Sequence, residues 1–119
     1  MLQVTVERSR WYRGHGHKDS RLKREEDGLM CCLGFACLEA GLDEKQILGV
    51  GYPSMLLDRD DFVFVLPDAL TPLVVGSGNS EVCRSIGFTN DAKAISDVER
   101  EKHLTTLGKD AGIAFTFVD

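Results

Sequence analysis

"DGLMCCLGFACLEAGL", residues 27–42, carries two acidic residues at its charged margins, Asp27 and Glu39, and is otherwise almost wholly apolar or small. Asp27-Gly28 is a turn signal, because Asp bonds its own backbone and Gly accepts a positive φ. The spacing beyond it predicts a helix over residues 30–40. Leu29, Cys32, Leu33, Ala36 and Ala40 share one face, and Cys31, Phe35 and Leu38 a second. A helix that is apolar nearly all round belongs inside the molecule. Gly41 is its natural stop.

Working outward, "LQVTVE" at residues 2–7 alternates Leu2, Val4 and Val6 with polar residues, which predicts a half-buried strand. "IAFTFVD" at 113–119 repeats the pattern with Ile113, Phe115 and Phe117. Ser96 and Glu99 form an S-x-x-E capping box ahead of an amphipathic helix with a Leu104, Leu107, Ala111 stripe, ended by Gly112. "LDEKQILG" reads as a short helix capped by Asp43 and stopped by Gly49. Asn79 or Ser80 is placed to cap another through "EVCRSIGF". In the middle, "DFVFVLP" at 61–67 reads as a strand, and "DALTPLVV" as a short helix or an irregular run. The plan is α+β: a small mixed sheet of N- and C-terminal strands, packed on a buried central helix and a C-terminal amphipathic helix. Residues 1–119 are expected to form a single domain.

Composition narrows the function classes. The chain has 119 residues, 43% hydrophobic and 28% charged, with a net charge of −5. A domain of this length needs neither a metal nor a disulfide to fold. Nucleic-acid binding usually demands a basic surplus, so no nucleic-acid partner is expected. No run is long and apolar enough for a membrane span, and no signal peptide is visible, so the expected setting is cytoplasmic. The four cysteines are then expected as free thiols. The charge is uneven: residues 8–24 hold seven Arg and Lys against Asp19 alone. Such a patch suits a small anion even on an acidic chain.

Three groups of residues carry candidate chemistry. The C-C-x4-C spacing does not suit a metal, since neighbours on a helix point about 100 degrees apart; no metal site and no cofactor are expected. Cys31 or Cys32 near a helix start would suit a nucleophilic thiol, but neither His15, His17 nor His103 is paired with a cysteine by a local motif. Small hydrophobic packing is the plainer reading of these thiols. The second group is the loop "RWYRGHGHKDSR", where Trp11 and Tyr12 offer flat faces, Arg13 and Arg21 planar donors, and Gly14 close backbone approach. Asn90 and Asp91, placed as a turn just before the capped late helix, are the third.

The Asp-Gly turn, Cys31-Cys32-Leu33-Gly34 with Cys37, the later Asn90-Asp91, and the early Trp11, Arg13 and Gly14 resemble a widespread group of small bacteriophage and prophage proteins. The resemblance spans most of the chain, its C-C-L-G element being the specific part, and it brings a context without a mechanism. That context implies a host-takeover or counter-defence role. The leading expectation is a protein that sequesters an anionic nucleotide signal, working in an infected bacterium as a homo-oligomer. Its ligand-binding residues would be Trp11, Tyr12, Arg13, Gly14, Arg21, Asn90 and Asp91. The alternatives are an inhibitor that binds a host protein, and a cysteine-dependent hydrolase.

Overall fold

The computed structural model describes residues 1–58, 65–76 and 78–119. In chain order the elements are β1 (Leu2–Glu7), a 3-10 turn (Arg8–Arg10), α1 (Cys32–Glu39), α2 (Glu44–Ile47), 3-10 turns at Pro53–Asp58 and Asp68–Leu73, β2 (Val74–Val75), β3 (Gly78–Asn79), α3 (Glu81–Asp91), α4 (Asp97–Asp110) and β4 (Ile113–Val118). This is an α+β fold.

β1 and β4 run parallel, in register from Leu2 opposite Ile113 to Glu7 opposite Val118. The alternation does its expected work: Val4, Val6, Ile113 and Phe115 are buried. Both ends of the chain are thereby tied down, and Arg8 adds bonds to Glu101 and Asp119. β2 and β3 form a separate antiparallel pair. α4 packs on β4 and α3, and α1 packs on β1.

α1 is the buried core helix, with every residue from Cys32 to Cys37 enclosed. Gly34 is there for space: a Cβ on it would overlap the carbonyl of Leu22. The helix starts two residues later than its spacing predicts. Met30 is held in a bridge with Trp11, donating its N–H to the Arg10 carbonyl and accepting from the Tyr12 N–H, so it is unavailable to a helix.

Asp43, Ser80 and Ser96 all act as caps, Ser96 without the return bond from Glu99 that the expected box requires. Asp43 and Gln46 form a reciprocal box on α2, Ser80 accepts from the Cys83 N–H, and Ser96 from the Glu99 N–H. α3 runs further than its sequence suggests, to Asp91, so Asn90 and Asp91 end one helix rather than form a turn before the next. Residues 68–75 divide into a 3-10 turn and β2. The strand expected at 61–67 falls mostly outside the described residues, and Val65, Leu66 and Pro67 carry no strand. No helix among the described residues is long and apolar enough to cross a membrane.

Candidate functional site

Residues 11–31 contain almost no regular structure, yet they are fastened to the end of α3 at several points. Asn90 is the centre of the fastening and is 1% exposed. Its Oδ1 accepts from the Trp11 indole Nε1–H at 2.7 Å and from the Cys32 N–H at 3.0 Å. Its Nδ2 donates to the Tyr12 carbonyl at 3.0 Å and to Asp91 Oδ1 at 2.9 Å. That fills all four hydrogen-bonding positions of a primary amide. The backbone carbonyls of the same two residues hold the loop as well: Gly14 N–H donates to Asn90, and Gly16 N–H to Asp91. Both glycines have positive φ, 75° and 80°, which explains the G-x-G in physical terms.

Arg100 closes the network from below. It is 2% exposed, and its guanidinium donates to the carbonyls of Thr89, Asn90, Ala92 and Ile95, with Nε on Asp97. A buried cation at the C-terminal end of α3 satisfies carbonyls that the helix leaves open and opposes its dipole. Its charge is met by Asp97 at 3.3 Å.

On the outer side, His17 Nδ1 meets Asp91 Oδ2 at 2.8 Å. Asp91 is 4% exposed, so the imidazole and the Asn90 amide are what keep its carboxylate from being buried unpartnered. The other edge of the story is aromatic: His17 stands edge-on to Phe88, at 4.8 Å between ring centres.

Beside this network lies a small cavity lined by Ser20, Cys31, Leu33, Gly51, Tyr52, Gly87, Asn90 and Asp91. The centre of a water-sized sphere has about 10 Å³ to move in, room for one water and not for a ligand. Burial pushes the Cys31 thiol up to about 12, against the pull of the Gly34 and Leu33 N–H groups at the start of α1. Cys32 is raised by the same cause. Partial burial, and then the Asp91 charge, raise the Tyr52 hydroxyl as well. Among the described residues, no group of three or more His, Cys, Asp and Glu side chains is placed to hold a metal ion.

The candidate residues therefore divide. Trp11, Tyr12, Arg13, Gly14, Asn90 and Asp91 do come together, but mostly as a scaffold. Trp11 is 3% exposed, and its ring is covered by the Arg13 guanidinium at 4.5 Å and packed on Phe117. Arg13 also donates to the carbonyls of Arg8 and Trp11 and lies 3.4 Å from Asp97. Tyr12 carries Arg24 over its ring at 4.0 Å, with His15 beside it. Arg21 differs. It is held by the carbonyls of Lys18 and Ser20 and, among the described residues, has no carboxylate partner. The sequence reading missed His17, Ser20, Tyr52, Phe88 and Arg100. His17 and Ser20 stood inside the loop stretch already singled out, but without a role there.

No family model, curated protein or solved structure matches the chain.

Proposed function

We propose that the chain binds a small anionic ligand, a nucleotide signal, and sequesters it without turnover. One observation carries the reading: a basic loop on an acidic chain is held rigid by a buried polar network, while its cations Lys18 and Arg21 face no carboxylate among the described residues. A prebuilt loop loses little entropy when a ligand arrives. Trp11, Arg13, Gly14 and Asn90 serve that reading as the frame, and Arg21 as a contact. The resemblance to phage proteins adds a context, in which the ligand is an immune signal and the site of action the cytoplasm of an infected host. Homo-oligomer formation belongs to the same proposal. The thiol-hydrolase alternative has less support, because burial keeps Cys31 and Cys32 protonated.

Calorimetry against cyclic dinucleotides and ADP-ribose-type nucleotides tests the proposal. The expected result is binding with the nucleotide recovered unchanged. Absence of both heat and thermal shift across the panel would remove the reading.

A second reading, an inhibitor that binds a host protein, is favoured by the exposed apolar side chains Met55, Leu57 and Phe88. One stoichiometric partner retained from bacterial lysate, with no nucleotide bound, would put it first.

A further inference from the structure

We infer that the outer edge of β1 is a self-association surface: β1 of a second copy pairs with it antiparallel, about a two-fold axis at Thr5, and makes one four-stranded sheet. The inference takes up the homo-oligomer part of the reading above and stands apart from its ligand.

The ladder decides which backbone groups of β1 are in use. In a parallel pair, alternate residues of each strand turn their N–H and C=O toward the neighbour. Leu2 lies opposite Ile113, and its N–H donates to the Gly112 carbonyl at 2.9 Å. Leu2, Val4 and Val6 therefore bond β4, while Gln3, Thr5 and Glu7 turn their groups outward. Among the described residues nothing bonds those outward groups, and no other strand pairs with β1. Gln3 and Thr5 are exposed.

The edge of β4 differs. Its outward residues are Ile113, Phe115 and Phe117. Ile113 and Phe115 are buried, and a Cβ on Gly108 of α4 would lie 2.8 Å from the Ile113 carbonyl. α4 thus shields the start of that edge and leaves β1 as the side on which the sheet can grow. An endless array, with β1 of one copy on β4 of the next, is blocked; a closed pair is not.

β1 also lacks the devices that keep an open edge single. Its sequence, LQVTVE, holds no proline and no lysine, and its one charge, Glu7, lies 3.8 Å from Arg10. The strand is complementary to itself instead. With Thr5 on the axis, Thr5 faces its own counterpart and Gln3 faces Glu7 of the second copy. Every outward residue then meets an outward residue, which no other antiparallel register achieves. On the opposite face Val4 meets Val6, so the buried apolar side runs on across the axis. A Thr–Thr pair stabilises antiparallel strands, and no like charges stand opposed.

Analytical sedimentation tests the interface. The wild type should be a dimer at high micromolar concentration. Thr5→Lys and Thr5→Glu each set like charges face to face on the axis and should weaken the dimer roughly tenfold. Mixing the two variants should restore a dimer of one Lys chain and one Glu chain. Thr116→Lys, opposite Thr5 in the same ladder, should leave the dimer unchanged, which separates the interface from damage to the sheet. Hydrogen exchange gives a second readout: the Gln3, Thr5 and Glu7 amides should be slow in the dimer and fast in Thr5→Lys, with Val4 and Val6 slow in both. A wild type that stays monomeric, or a dimer no more sensitive at Thr5 than at Thr116, would overturn the inference. A monomer that binds a nucleotide would leave the ligand reading standing. A dimer indifferent to Thr5 would keep the homo-oligomer and remove this edge alone.

Discussion

Two regions of this molecule are ordered by different forces. The β1–β4–α4 region is regular: Val4, Val6, Leu104, Ile113 and Phe115 pack, and backbone ladders follow. Residues 11–31 are irregular; Trp11, Leu22 and Met30 anchor them in the core, and buried polar groups, above all Asn90 with Arg100 behind it, hold the 11–17 part. Apolar packing is tolerant, since a lost methyl leaves a cavity that neighbours partly fill. A polar network is not: removing one member strands the others without water.

Asn90→Ala breaks the comparison most sharply. It leaves the Trp11 indole N–H, the Cys32 N–H and the Tyr12 carbonyl without their partner, and should cost about 3–5 kcal/mol in urea unfolding. Leu104→Ala in the apolar half should cost a similar amount, about 2–5 kcal/mol. The two differ in where protection is lost. The Asn90 variant should loosen residues 11–17 ahead of global unfolding, and the Leu104 variant should not.

Alkaline pH acts on the buried cysteines. Burial raises all four thiols, so the unfolded chain ionises first as pH climbs. Their contribution is whole below the ordinary thiol value of 9.0 and is lost as pH rises from there through the raised native values. Each thiol should cost about 1 kcal/mol between pH 9 and 10. A flat stability profile from pH 8 to 10.5 would mean that the thiols are not buried. Native iodoacetamide labelling should likewise be slow until the chain unfolds.

What the sequence disclosed, and what it hid, follows the same divide. Caps at Asp43, Ser80 and Ser96 act over three residues, and strand alternation over six, so both were readable. The early Trp-x-Arg-Gly and the late Asn-Asp stood out, but their union did not. Trp11 and Asn90 are 79 residues apart, and Cys32 and Asn90 are 58 apart. No local periodicity encodes such a contact. The burial of Trp11, which turns a supposed stacking face into a beam, was hidden for the same reason. Arg100 stands in the sequence as one charge among several on an amphipathic helix, because nothing nearby announces the α3 carbonyls it caps.

Smaller perturbations sharpen the picture. Gly14→Ala places a Cβ in left-handed backbone, 3.0 Å from the Arg100 guanidinium, and should cost about 1–2 kcal/mol. Its effect should concentrate in the loop and leave the β1–β4 amides protected. Asp27→Asn should have the smallest effect at neutral pH, because the carboxylate is open to solvent. The Leu29 N–H, and then Arg24, hold the Asp27 carboxyl below the usual 3.8. That contribution is present above 3.8 and fades as pH falls through the lowered native value, so wild type and variant should converge in strong acid.

The central claim is that residues 11–31 form a surface built in advance. Native-state hydrogen exchange tests it directly at four amides: Tyr12, Gly14, Gly16 and Cys32, whose acceptors are Met30, Asn90, Asp91 and the Asn90 side chain. They should exchange as slowly as the amides of β1 and β4, by global unfolding alone. Exchange at the rate of an exposed loop would contradict the account.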